Sequence, residues 1–153
     1  MKTKVLFLII LHISIRCYSQ NDTLNDCCNN NLYPYYKIGA ELKYNGGFYA
    51  IKEIVNTNFS NSKFENINDN NGIVVVNFQV NCFGSITNLH SKSYNLEYVE
   101  SKINQLIINN LTNSVLSLKN WILSNNEKGE KMCYHKFLSF KIVNGKIIEI
   151  LPK

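Results

Sequence analysis

The feature that most constrains the fold of this chain is residues 73 to 83, where side chains alternate in character along the backbone. One side of the alternation carries Val74, Val76, Phe78, Val80 and Cys82, and the other carries Val75, Asn77, Gln79 and Asn81. A repeat of two residues is typical of a β-strand with one face in the core and the other toward water. The segment therefore predicts a strand in a sheet that is covered on one face only.

The residues on either side of this strand predict a helix before it and a partner strand after it. Apolar residues from Phe48 to Phe59 recur at intervals of three and four, which places them along one face of a helix. After the strand, Gly84-Ser85 marks a turn and residues 86 to 91 are again β-favouring. Residues 73 to 93 therefore predict a β-hairpin.

The second half of the chain repeats the order of helix and strand. Asn95 is a suitable N-cap for a helix whose apolar positions continue past Leu111. Met132 to Val143 reads as a long strand, and Asn144-Gly145 is a strong hairpin signal that leads into a short final strand at 146 to 150.

These elements predict an α+β fold with two layers, in the order helix, strand, strand, helix, strand. The hairpin makes the first two strands antiparallel, and the helical crossover makes the second and third parallel. We expect a three-stranded antiparallel sheet in the order 2-1-3, with both helices on one face. The strand at residues 132 to 143 then lies at an edge, unless residues 146 to 150 cover it.

The N-terminal residues 1 to 19 predict a cleavable secretory signal peptide. Lys2 and Lys4 precede the apolar run from Val5 to Leu11, and small side chains come before the Ser19/Gln20 bond. A retained membrane anchor is the alternative, but a bilayer needs about 20 apolar residues and this run is shorter. The composition then predicts a polar and aromatic leader at residues 20 to 37 and one domain at residues 38 to 153.

The net charge and the cysteine spacing argue against two classes of ligand, nucleic acids and metal ions. The full chain has a net charge of +5, and removal of the signal peptide leaves 13 basic and 11 acidic residues, a net charge of +2. This weak and scattered charge argues against nucleic-acid binding. The four remaining cysteines, Cys27, Cys28, Cys82 and Cys133, show no zinc-binding spacing, so we expect neither a metal nor another cofactor.

The order and spacing of several segments resemble the TonB carboxy-terminal domain, in the form common in small exported proteins of Bacteroidetes. The resemblance covers residues 38 to 151. The segments that carry it are Gly46-Gly47 before an amphipathic helix, residues 72 to 80, residues 84 to 89, the helix ending near Trp121, and Gly129 with the strand to Ile142.

This resemblance implies a periplasmic or envelope protein-binding module. Members of the family pair an exposed strand with a short peptide from an outer-membrane receptor, which is β-augmentation. Carried onto this chain, the pairing edge is residues 133 to 143, with Cys133, His135, Phe137, Ser139 and Lys141 as its site residues. The implied partner is a protein or peptide, such as an outer-membrane receptor or a second copy of the chain, and no small-molecule substrate is expected.

Three further roles remain open at this point. If the N-terminal segment is a retained anchor, the resemblance implies a part in TonB-type energy transduction, although the chain has no Pro-rich spacer. A secreted hydrolase would use Cys133 as nucleophile and His135 as base, since the two share one side of a strand. A structural role would join Cys82 to Cys133 in a disulfide, but the alternation places them out of step and requires a bulge.

Overall fold

The computed structural model describes residue 28, residues 31 to 60 and residues 64 to 153. The predicted signal peptide at 1 to 19, and the leader up to residue 27, lie outside these residues. The elements are β1 Leu32–Pro34, β2 Lys43–Tyr44, α1 Gly47–Ser60, β3 Gly72–Val80, β4 Ile86–Tyr94, α2 Gln105–Leu116, β5 Trp121–Ile122, β6 Cys133–Val143 and β7 Lys146–Leu151. Within the described part of the chain, neither helix is long and apolar enough to cross a membrane.

The main sheet has five strands, so the prediction of three is wrong. Its order is β1-β6-β3-β4, and β7 also pairs with β6, while β2 and β5 form a separate two-stranded sheet. The pairs are antiparallel except for β1 and β6, which run parallel. The α+β class with two helices and a mostly antiparallel sheet is confirmed. The added strand β1 is only three residues long, too short for a period to be read, whereas β7 forms where the Asn144-Gly145 hairpin predicts a short final strand.

The core lies between the helices and one face of the main sheet. The β3 side chains predicted to face the core are almost fully buried, at 0 to 2% exposure for Val74, Val76, Phe78 and Val80. Both helices contribute their apolar stripes to the same cluster, including Val55 of α1 and Leu111 of α2. No helix covers the other face of the sheet among the described residues, and we call this face the open face.

Helix α2 begins nine residues later than the sequence predicts, because Asn95 caps a loop and the helix cap is Asn104. The Asn95 side-chain oxygen accepts hydrogen bonds from the N–H groups of Glu97 at 3.1 Å and Val99 at 2.9 Å. Asn104 is the actual N-cap, since its side chain accepts the N–H of Leu106. Asparagine side chains satisfy backbone donors equally well in turns and at helix starts, so the sequence pattern alone could not separate the two.

The turn between β6 and β7 forms as its sequence predicts. Asn144 and Gly145 both adopt left-handed backbone angles, with φ of 50° and 69°. These angles match the two-residue turn that Asn-Gly favours in hairpins. The turn sends β7 back along β6, where Phe140 pairs with Ile150.

Candidate functional site

Strand β6, the predicted binding edge, has neighbours on both sides. One side pairs with β3 along nine residue pairs, from Gly72 with Ile142 to Val80 with Tyr134. The other side pairs with β1 at residues 133 to 135 and with β7 at residues 139 to 143. The alternative that the sequence left open is the one that occurs, since residues 146 to 150 fold back as part of β7 and cover this edge. Part of the expected leader also pairs there as β1, which the sequence did not predict.

The uncovered part of this β6 edge is too short to bind a strand. The N–H of Tyr35 donates to the carbonyl of His135 at 3.1 Å, which shows that the backbone of His135 points toward this edge. Alternation then directs Phe137 to the gap between β1 and β7. A gap centred on a single residue cannot accept an extended peptide of several residues, so the pairing mode implied by the family resemblance is blocked on β6.

The five predicted site residues share one face of β6 but do not form a binding edge. Their side chains alternate with those of Tyr134, Leu138 and Phe140, which face the core, and therefore point to the other side of β6. His135 and Phe137 are exposed on the open face, whereas Cys133 is buried.

Cys133 forms a disulfide with Cys28, with a Cα–Cα distance of 5.6 Å. The alternative pairing of Cys82 with Cys133, which the strand alternation already disfavoured, does not form. Cys82 is also disulfide-bonded. Because Cys133 carries no free thiol, it cannot act as the nucleophile of the hydrolase that Cys133 and His135 suggested.

A small polar cavity lies beside this disulfide. Its volume is about 30 Å³, and its lining includes both disulfide cysteines, Tyr33, Glu130 and Met132. Pockets for drug-sized ligands measure about 300–1,000 Å³. This cavity has room for water but not for an organic substrate.

Lys136 is a half-buried charge that the predicted site residues did not include. Lys136 lies on the core-facing side of β6, and it pairs with the buried Phe78 of β3. Its Nζ atom lies 3.9 Å from the centre of the Tyr35 ring. Burial lowers the pKa of Lys136 to about 8. A lysine that interrupts an apolar alternation was the signal that could have revealed it.

The longest free strand edge in the described part of the chain belongs to β4. Strand β4 pairs only with β3, and its last residues are closed off by the loop that follows, where the N–H of Ser101 donates to the carbonyl of Ser93 at 3.1 Å. A bulge near Asn88, which has a φ of 47°, interrupts the strand toward its start. The free and regular part of the edge is therefore Leu89 to Lys92.

Strand β7 has a free outer edge as well, but it is less suited to pairing. It is six residues long against nine for β4, and its register with β6 shifts within that length. It is followed by Pro152, which has no backbone N–H to donate. Bulges and prolines are common devices that protect a strand edge from pairing.

The described residues contain no group of three or more His, Cys, Asp or Glu side chains that could hold a metal ion. His90 and His135 both face the open side, but they lie on β4 and β6 with β3 between them. We found no protein-family model, curated protein or solved structure that matches this chain.

Proposed function

We propose that this protein is an exported, non-enzymatic binding module of the cell envelope that recognises an extended peptide through the free edge of β4. The observation that carries the proposal is the unpaired backbone of Ser91. Since the carbonyl of Ser93 points away from β3, alternation directs the N–H and C=O of Ser91 the same way. A peptide strand laid against β4 would satisfy both groups.

The backbone supplies affinity in this mode of recognition. Each hydrogen bond of this kind contributes about 0.5–1.5 kcal/mol net, so one or two pairs give modest binding. Further affinity must come from side chains on the two faces of the extended sheet. The bulge at Asn88 and the loop after Ser93 limit the bound segment to a short peptide.

This proposal keeps the TonB-like function suggested by the sequence but moves its site to the other end of the sheet. A peptide of an outer-membrane receptor remains the proposed partner, and a second copy of the chain is the alternative occupant of the same edge. No contact in the described structure favours energy transduction or hydrolysis over binding.

The disulfides support the proposed export. Disulfides persist in oxidising compartments such as the bacterial periplasm and are rare in the cytosol. Three of the described cysteines, Cys28, Cys82 and Cys133, are disulfide-bonded. The predicted signal peptide at residues 1 to 19 would deliver the chain to such a compartment.

The test is affinity capture from envelope extract with a proline placed at the edge. Ser91→Pro removes the outward N–H and leaves the bonds between β4 and β3 in place. Ile147→Pro is the matched control: Ile147 pairs with Ile142, whose backbone faces β3, so the N–H of Ile147 faces the free edge of β7. We expect the wild type and Ile147→Pro to recover the same partner and Ser91→Pro to lose it. Thermal melting establishes that all three proteins are folded.

Equal recovery by all three proteins would overturn the proposed site. A partner lost only with Ile147→Pro would assign binding to β7 instead. Sedimentation of the purified wild type identifies self-pairing, which Ser91→Pro would abolish if a second copy occupies this edge.

A further inference from the structure

The face of β4 that lies under helix α2 offers apolar contacts to a bound strand. Leu89 and Ser91 lie on this face, since Ser91 pairs with the buried Val76. Leu89 is only partly buried although it packs against the core. Because Ser91 is small, it leaves room beside Leu89 for a larger side chain from a neighbouring strand.

Helix α2 extends this apolar surface toward the free edge through Ile108. The Oγ of Ser117 accepts a hydrogen bond from Asn58 of α1 at 3.0 Å, so this flank of α2 faces α1. Ile108 precedes Ser117 by nine residues, which places it on the opposite side of the helix axis. Since α2 lies over β3 and β4, the flank with Ile108 faces the outer edge of β4. Ile108 is also only partly buried.

The open face of the same edge carries positive charge. Lys92 is exposed there and pairs across the sheet with Val75. The four β3 residues on this face are uncharged: Ile73, Val75, Asn77 and Gln79. Among the described residues, Lys92 has no carboxylate within ion-pair distance. A bound strand would therefore meet an unpaired cation on this face.

From these two faces we infer that the peptide bound by β4 alternates apolar with acidic residues. The inference rests on the proposed edge pairing and specifies its partner. Side chains of a β-strand point alternately to opposite faces, so successive peptide residues meet the two surfaces in turn. The apolar residue packs against Leu89 and Ile108, and the acidic residue lies beside Lys92.

Three synthetic heptapeptides test this selectivity by fluorescence anisotropy. In each, valine alternates with a second residue, which is glutamate, threonine or lysine. Exposed ion pairs contribute about 0.2–1 kcal/mol, which is about a one- to fivefold change in affinity. We expect the glutamate peptide to bind about threefold tighter than the threonine peptide and about tenfold tighter than the lysine peptide.

Charge reversal identifies the residue responsible. Lys92→Glu should reverse the preference, so that the lysine peptide binds tighter than the glutamate peptide. Lys52→Glu, on the exposed surface of α1, makes the same charge change away from the edge and should leave the preference unchanged. Reversal by both variants, or by neither, would overturn the role of Lys92.

A second pair of variants tests the apolar face. Ile108→Asn should weaken binding of the glutamate peptide at least threefold, whereas Leu106→Asn, an exposed position on another side of α2, should not. Circular dichroism and melting establish that both variants are folded. If both variants weaken binding of the glutamate peptide equally, the inferred contact with Ile108 is overturned.

The outcomes separate this inference from the proposed function. If all three peptides bind with equal affinity and Ser91→Pro abolishes that binding, the inferred selectivity is overturned but the proposed edge pairing is supported. Absence of binding by every peptide would overturn both.

Discussion

Replacement of Lys136 by methionine should stabilise the protein at neutral pH. Methionine has a similar length but carries no charge that must be buried. The pKa of Lys136 falls from 10.5 to about 8 on folding because of burial. At about 1.36 kcal/mol per pKa unit, a shift of this size corresponds to about 3.4 kcal/mol as an upper bound. Because the side chain is only half-buried, and its contact with Tyr35 contributes about 0.5–1 kcal/mol, we expect a net gain of about 1–2 kcal/mol.

The gain should depend on pH in a defined direction. Below pH 8 the lysine is charged in both the folded and unfolded states, so the full cost of burying the charge is present. Between pH 8 and 10.5 the unfolded chain binds more protons at this group than the folded one, and the stability of the wild type therefore rises with pH. The difference between Lys136→Met and the wild type should shrink across this window and level off above it.

Urea unfolding at pH 7, 8, 9 and 10, followed by Trp121 fluorescence, measures this difference. Lys141→Met is the matched control, because Lys141 lies on the same strand with its side chain on the open face. The pH dependence assigned to burial of the charge is the part that Lys136→Met shows and Lys141→Met does not. If the difference in free energy of unfolding between Lys136→Met and the wild type does not change from pH 7 to 10, the assigned burial of the charge is refuted.

Three further changes test other parts of the fold. Cys133→Ser opens a loop closed across 105 residues by Cys28, and the chain-entropy relation gives a loss of about 4–5 kcal/mol, measured by chemical denaturation. Gly145→Ala should lower the melting temperature far more than Gly129→Ala: both residues have positive φ, but only at Gly145 would the added carbon meet backbone atoms. Tyr134→Phe removes a hydrogen bond of 2.8 Å to a carbonyl between β1 and β2, and should cost about 1 kcal/mol by the same denaturation assay.

Long periodic segments were predictable from the sequence, and short or capped ones were not. The first helix, the strand at β3 and the hairpin at Asn144 all formed where their patterns placed them. Leu96 and Val99 matched a helical spacing but are exposed in a loop, because Asn95 bonds locally instead. Their misassignment shows that an N-cap residue marks the start of a turn as readily as that of a helix.

The cover of the β6 edge by β1 could not be predicted, because strand pairing between distant segments leaves little trace in local sequence. Leu32 to Pro34 is too short for a period to be read, yet it pairs with Cys133 to His135 and covers part of β6. The disulfide partner of Cys133 was missed for the same reason, since Cys28 is brought close by this pairing. The free edge of β4, by contrast, follows from the predicted order 2-1-3, which already places the second strand of the hairpin at an edge.

The distance along the chain between Cys28 and Cys133 has a consequence for biogenesis. A chain exported from its N-terminus presents Cys28 to the oxidising compartment long before Cys133 crosses the membrane. Cys82 arrives in between, so the first available partner is the wrong one. Correct pairing then requires either that oxidation wait for the last third of the chain or that an early bond be exchanged. Under the proposed export, maturation of this protein therefore depends on late oxidation or on exchange of an early bond, and its yield should rise where a disulfide isomerase accompanies the oxidant.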